Sequence, residues 1–243
     1  MRRTALPSWG IMRLSLAVGV MFFVLALGVR GDGTTNSPLR QVSGDVFEIG
    51  TVRFDKGKKS LEFPAVVNMT NGLIEYLLVS GQGKTYESLL RTDTDPYNIQ
   101  LALLFLGAKG APQTAELMAL PAEPFHVNHP GRVDPPILGD LISIELTWGK
   151  TNRVRAEDWV LNLNTKTNTA RGSWTFNGSR VVKGVFLAQR DGQIVAMIDD
   201  VDAMVNNPRP GHDNDQIWEI NSNALPPLNT AVEVTFQLEE KTK

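Results

Sequence analysis

Residues 95–107 read DPYNIQLALLFLG. Asp95 can offer a carboxylate oxygen to the free N–H groups of a helix start, and Pro96 suits the first helical position, where its missing N–H costs nothing. From Tyr97 to Leu106, eight residues of ten are apolar, and Gly107 or Gly110 can end the helix. A surface helix shows one apolar stripe, whereas this one is apolar nearly all round, which predicts burial on most sides. Leu101, Leu103, Leu104 and Leu106 are therefore expected to be largely removed from water.

Around that segment the sequence reads as short β-type runs separated by turn residues. VFEIGTVRF and SLEFPAVVNM flank Asp55-Lys56-Gly57-Lys58-Lys59, a hairpin turn. IEYLLVS follows Asn71-Gly72. LISIELTW and RVRAEDWVLN flank Gly149-Lys150-Thr151-Asn152, a second hairpin signal. RGSWTFNG, VVKGVFLAQ and QIVAMID follow, with Asp191-Gly192 read as a tight turn. In TAVEVTFQLEE, Val232, Val234, Phe236 and Leu238 alternate with polar partners, the pattern of a half-buried strand. The predicted fold class is α+β: a mostly antiparallel sheet packed around one buried central helix, from Pro96 to about Leu106. Residues 112–136, where five prolines follow the helical run TAELMAL, read as a surface excursion.

The chain has 243 residues, 42% hydrophobic and 21% charged, enough for a sizeable core. Lys plus Arg number 24 and Asp plus Glu 26, a balance that argues against nucleic acid as a partner. No cysteine is present, which excludes iron-sulfur clusters, thiolate zinc sites, disulfides and cysteine nucleophiles.

Arg2, Arg3 and Arg13 precede LSLAVGVMFFVLALGV, residues 14–29. A basic start followed by sixteen uncharged residues suits a signal-peptide core better than a full membrane span. Ala26-Leu27-Gly28 places small residues where a signal peptidase reads, with Val29-Arg30-Gly31 competing. Arg2-Arg3 also fits twin-arginine export, though an ordinary basic start accounts for it. Loss of residues 1–28 removes three arginines and no acid, taking the formal net charge from −2 to −5. The expectation is an exported protein, periplasmic or extracellular, with an uncleaved inner-membrane anchor as the alternative. Residues 29–43 then read as a linker and 44–243 as one β-rich domain.

GQGKT, residues 81–85, invites a phosphate-loop reading. That motif needs a glycine where Leu78 stands, and no helix signal follows directly. The plainer reading is a four-residue hairpin turn, with Leu78 facing Glu87 and Leu77 facing Ser88. An acid among apolar neighbours is costly unless paired or solvated. Lys84, Arg91 and backbone amides are the candidate partners of Glu87. A catalytic role for Glu87 or Ser88 is the competing reading. A serine nucleophile needs a base, and no spacing ties His126, His129 or His212 to Ser88, nor is there a G-x-S-x-G elbow.

Asp199-Asp200-Val201-Asp202 and Gly211-His212-Asp213-Asn214-Asp215 are oxygen-rich loops. His212, Asp213, Asp215 and Asp200 are candidate ligands for a hard divalent cation. The EF-hand pattern fails at Ile217 and Trp218, and Asx turns are the structural alternative. His126 and His129 are three apart, but Pro124 and Pro130 oppose a helix, so they are weak evidence for zinc. Asn68 and Asn177 open glycosylation sequons that matter only in a eukaryotic secretory pathway.

EYLLVSGQGKTYESLL, DPYNIQLALLFLGAKG, AEDWVLN and HDNDQIWEINSNALPPLNTAVEV together resemble the YdjY-like domain family of exported bacterial proteins. The likeness spans about residues 44–238. Its most specific parts are Gly83-Lys84 with Glu87-Ser88, residues 102–107, and Asp158-Trp159. The resemblance implies a histidine where this chain has Tyr86, so a metal or proton-transfer role resting on that imidazole has no carrier at this position. Some relatives are labelled ferredoxin-like, and without cysteine this chain holds no such cluster. With no catalytic constellation recognised, the expected function is an exported module binding an envelope protein or small ligand, with no cofactor. The rival is a hydrolase or metal-dependent enzyme using Glu87 as acid or base. The expected binding surface joins Lys84, Tyr86, Glu87 and Ser88 to the helix start at Asp93 and Asp95, where a helix N-terminus favours anions. Membrane contact is expected only through an uncleaved N-terminal segment.

Overall fold

The computed structural model describes residues 38–114, 118 and 137–240, which fall in one compact unit. The signal-peptide reading, most of the linker, most of the proline-rich excursion, His126 and His129 lie outside the described residues. The chain begins with β1 (Arg40–Ser43), β2 (Val46–Ile49), β3 (Val52–Asp55), β4 (Ser60–Val67), β5 (Tyr76–Ser80) and β6 (Ser88–Thr92). Helix α1 (Pro96–Phe105) precedes β7 (Asp140–Trp148), β8 (Asn152–Arg155), β9 (Val160–Asn162), β10 (Thr167–Asn168) and β11 (Trp174–Phe176). Then come β12 (Val181–Val182), β13 (Val185–Phe186), helix α2 (Leu187–Asp191), β14 (Gln193–Ala196), β15 (Val205–Asn206), β16 (Trp218–Ile220) and β17 (Ala231–Leu238).

Eight of these strands close into a barrel in the order β4-β17-β7-β11-β15-β14-β5-β6, with β6 returning to β4. Closure removes the unpaired edges an open sheet would expose. β4 is the point at which the sheet forks. Its first residues pair with β3, its last with β6, and β17 runs along its other side. Pro64 sits at the fork. Its carbonyl accepts from Thr92 Oγ1 at 2.5 Å, so the N–H it lacks falls on the side where β4 is changing partners. β3, β2 and β1 continue outward as an antiparallel arm. A three-stranded sheet, β10-β9-β16, and the β12–β13 hairpin complete the β structure.

The barrel interior follows from period-two alternation. Leu61, Phe63, Ala65 and Val67 of β4, Ile142, Ile144 and Leu146 of β7, and Val232, Val234 and Phe236 of β17 are all buried. Phe63 meets Phe236 edge to face at 5.3 Å. Each large apolar side chain so buried contributes about 1.5–3 kcal/mol.

The fold class read from the sequence is therefore corrected. The protein is mostly β, a closed barrel rather than a sheet around a central helix, and its helices are short. The ends of α1 do match the sequence. Asp95 Oδ1 accepts from Tyr97 N at 2.9 Å, Pro96 is at the first position, and Gly107 leaves the helix with φ +92°. Its role differs. Ile99, Ala102, Leu103 and Leu106 form one stripe in the core, while Tyr97, Leu104 and Phe105 remain 43%, 48% and 42% exposed. Phe105 stacks on Phe54, which stacks on Phe47, so part of the outer side rests on the β1–β3 arm. The core needed no central helix because strand side chains already fill the barrel.

Two turn readings are corrected as well. β5 and β6 run parallel, Tyr76 opposite Ser88 and Leu78 opposite Leu90, so residues 81–87 form a compact crossover and not a hairpin. The glycines signalled reversal, but Thr85–Glu87 makes a 3-10 turn that carries the chain back to the start of β5 before β6 begins. Asp191-Gly192 is the end of α2, with Gly192 as its left-handed cap. The hairpins at Asp55 to Lys59 and at Gly149 to Asn152 and the final alternating strand are present.

Candidate functional site

The crossover places Glu75, Lys84 and Glu87 together, since Glu75 N donates to Glu87 O at 3.0 Å. Lys84 Nζ lies 2.9 Å from Glu75 Oε2 and 2.7 Å from Glu87 Oε1. Lys84 is thus the partner Glu87 takes, and Arg91 turns instead to the exposed Asp93 at 3.4 Å. Burial raises the Glu87 carboxyl above its usual range against the pull of the ammonium, and neighbouring Glu75 adds to the rise. Burial lowers the Lys84 ammonium, but hydrogen bonds to Glu87 and Glu75 outweigh it, and the net shift is upward. Ser88 is fully buried, and its hydroxyl donates to Lys84 O at 2.6 Å. Its proton holds the crossover closed. Tyr86 points outward and is 72% exposed.

Beside this cluster opens a pocket of about 360 Å³, within the range of small-molecule sites. Its lining includes Gln82, Lys84 and Tyr86 from the crossover, Arg190, Asp191 and Gln193 from the end of α2 and the start of β14, and Asp200 and Asp202. Two glycines set how closely these loops approach. A Cβ on Gly192 would fall 2.5 Å from Gly83 N, and one on Gly83 would fall 2.8 Å from Val79 Cβ. Ser80 N donates to Gly192 O at 2.7 Å across the same contact. The glycines of GQGK therefore serve backbone packing rather than phosphate binding.

The pocket wall is a buried polar relay. Gln193 Nε2 donates to Tyr76 Oη at 3.2 Å, and Tyr76 Oη donates to Asp200 Oδ2 at 2.9 Å. Asp202 N donates to Asp200 Oδ1 at 2.9 Å, the Asx turn weighed from the sequence. Asn206 Oδ1 accepts from Asp200 N at 2.9 Å. Arg180, fully buried, grips Asp202 through Nε at 2.5 Å and Nη2 at 3.0 Å. Burial, then repulsion from Asp202, raises the Asp200 carboxyl from an ordinary 3.8 to about 6. Burial also raises Asp202, against the pull of Arg180. Burial and the Asp200 charge raise the Tyr76 phenol well above its usual range.

This arrangement sets a pH dependence. A carboxyl whose folded pKa is raised favours the fold while protonated, so its contribution is full below about pH 4 and lost as pH climbs through about 6. The loss is on the order of 3 kcal/mol. Urea melts between pH 4 and pH 7 should show Asp200→Asn losing less stability than the wild type by about that amount. Equal losses would show that the buried carboxyl does not titrate in this window.

The remaining sequence candidates are placed apart. Asp93 and Asp95 do not line the pocket. Asp95 caps α1, and Gln189 Oε1 also accepts from Tyr97 N at 2.9 Å, so this helix start is occupied by the chain's own acceptors. Burial raises the Asp95 carboxyl despite its backbone donors Tyr97 and Asn98. His212 Nδ1 pairs with Asp199 Oδ1 at 2.6 Å, Asp215 accepts from Gln216, and Asp200 faces Tyr76. His212, Asp213, Asp215 and Asp200 thus do not converge, and among the described residues no three His, Asp or Glu side chains gather as a metal shell. Gln193, Tyr76 and Arg180 were missed by sequence reasoning, and Asp202 entered it only as part of an oxygen-rich loop. The available signal was Tyr76, a hydroxyl inside an apolar strand that had to find a partner.

Fold and site together define a closed, mostly antiparallel β-barrel domain with a polar pocket at the crossover between two parallel strands. The chain belongs to the YdjY domain family, whose profile matches residues 52–237. Neither the curated proteins nor the solved structures contain a match to it.

Proposed function

We propose that this is an exported binding module of the cell envelope that takes a small polar ligand into the pocket beside Lys84. The observation that carries the reading is the pocket itself, a concave site of ligand size into which buried polar side chains converge. Export is supported by the basic start and the apolar run of residues 14–29. The committed hydroxyl of Ser88 and the pairing of Glu87 with Lys84 favour binding over nucleophilic or acid-base chemistry at this site.

A thermal-shift panel of polar envelope metabolites tests it. A ligand present at a hundred times its Kd adds about 2.7 kcal/mol to stability, which raises the Tm of a chain this size by roughly 5–10 °C. The rise should vanish in Gln82→Trp, a plug at an exposed lining position. A panel without a single rise, or a rise unchanged in the plugged variant, overturns the reading. Cell fractionation checks export, and a purely cytoplasmic signal would overturn that part.

A further inference from the structure

Gln193 is 5% exposed and lines the pocket, and its Oε1 has no hydrogen-bond partner among the described residues. Its orientation is fixed by its neighbour. Tyr76 has one proton and gives it to Asp200, so Tyr76 Oη must accept from Gln193, which turns Nε2 toward Tyr76 and leaves the carbonyl oxygen over. A buried acceptor left unpaired costs about 1–3 kcal/mol, and a donor that reached this covered oxygen from the pocket would remove that penalty.

The charges around the pocket say which donor. Among its lining residues, the acids Asp191, Asp200 and Asp202 outnumber the bases Lys84 and Arg190. Each base already holds an acid. Lys84 bridges Glu75 and Glu87, Arg180 grips Asp202, and Arg190 holds Asp191. An anionic ligand would find its cations engaged and meet surplus carboxylates. A neutral donor would satisfy Gln193 but leave the surplus charge unanswered. At the mouth, the exposed ring of Tyr86 offers a π face, which attracts cations.

We infer that the pocket takes a small molecule bearing a primary ammonium group, which donates to Gln193 Oε1, lies beside the carboxylates of Asp200 and Asp202, and is met at the rim by Tyr86. This rests on the binding reading above and names its ligand class.

Calorimetric titration with matched probes tests it on the full chain. Glucosamine should bind at least tenfold more tightly than glucose or N-acetylglucosamine, and putrescine at least tenfold more tightly than butanediol. Gln193→Leu should weaken the amines about tenfold or more. Because that change also removes a donor from Tyr76, Tyr86→Ala at the exposed rim is the second variant, and it should weaken them severalfold with the fold intact. Equal or tighter binding of the neutral probes, or of acidic probes such as glucuronate, overturns the amine assignment and leaves the binding reading standing. Amine binding unchanged in both variants places the amine elsewhere and overturns it too. If no amine, neutral or acidic probe binds, the pocket reading falls with it.

Discussion

Leu103→Asp should leave the protein unfolded in water, whereas Leu104→Asp, one residue along, should fold with nearly wild-type stability. Leu103 is fully buried in the main core with Ile99, Ala102 and Leu106, while Leu104 is 48% exposed. A carboxylate at position 103 would sit among apolar side chains with no cation provided. It would have to ionise unsolvated or fold protonated, at several kcal/mol or more, against a total stability of about 5–15 kcal/mol. Leu103→Ala, which removes the contacts and adds no charge, should cost roughly 2–5 kcal/mol. Urea melts of the three variants beside wild type decide the matter. A Leu103→Asp midpoint equal to wild type would remove α1 from the core. A Leu104→Asp midpoint as low as that of Leu103→Asp would restore the all-round burial that the sequence predicts.

That pair of leucines shows where sequence reasoning succeeded and where it stopped. The ends of α1 are local: an aspartate capping a backbone N–H, a proline at the first position, a glycine leaving at positive φ. Local chemistry can be read from neighbours in the chain. The side of the helix that is wet depends on what packs against it, and the Phe105–Phe54–Phe47 stack joins residues with no sequence relation to one another. Barrel closure has the same character. Alternation in β17 marked a half-buried strand, but nothing in that pattern says that β6 returns to β4. The parallel crossover at residues 81–87 is a sharper case. Glycine-rich turns between strands usually mean hairpins, and here the same glycines allow two backbones to touch at Gly83 and Gly192. At the site, Lys84 was legible as one candidate partner of Glu87, beside Arg91 and backbone amides, because it is three residues away. Gln193 was not legible, because its importance comes from Tyr76, 117 residues earlier in the chain.

Glu157→Ala should destabilise the fold by about 3–5 kcal/mol without touching the pocket. Glu157 is fully buried, and its carboxylate is a hub. Arg155 donates to it from Nε at 3.3 Å and Nη2 at 3.1 Å, Arg209 Nη2 at 2.6 Å, Trp174 Nε1 at 3.1 Å and Gly172 N at 3.3 Å. Arg209 also lies over the Trp174 ring at 4.7 Å. Removing the carboxylate strands an indole N–H and leaves a nearly buried guanidinium without its counter-charge. Burial already lowers the pKa of Arg209 against the pull of Glu157, but an arginine does not shed its proton in a protein, so the penalty stays in full. The double change Glu157→Leu with Arg209→Met replaces the pair by apolar groups of similar size. It should lie closer to wild type than Glu157→Leu alone, because a buried ion pair balances its own desolvation only while both members are present. Urea midpoints for the single and double variants close the cycle. Additive losses would show that the two residues do not act as a pair. A Glu157→Ala loss below about 0.5 kcal/mol, the range of ordinary surface substitutions, would show that the hub contributes nothing to stability.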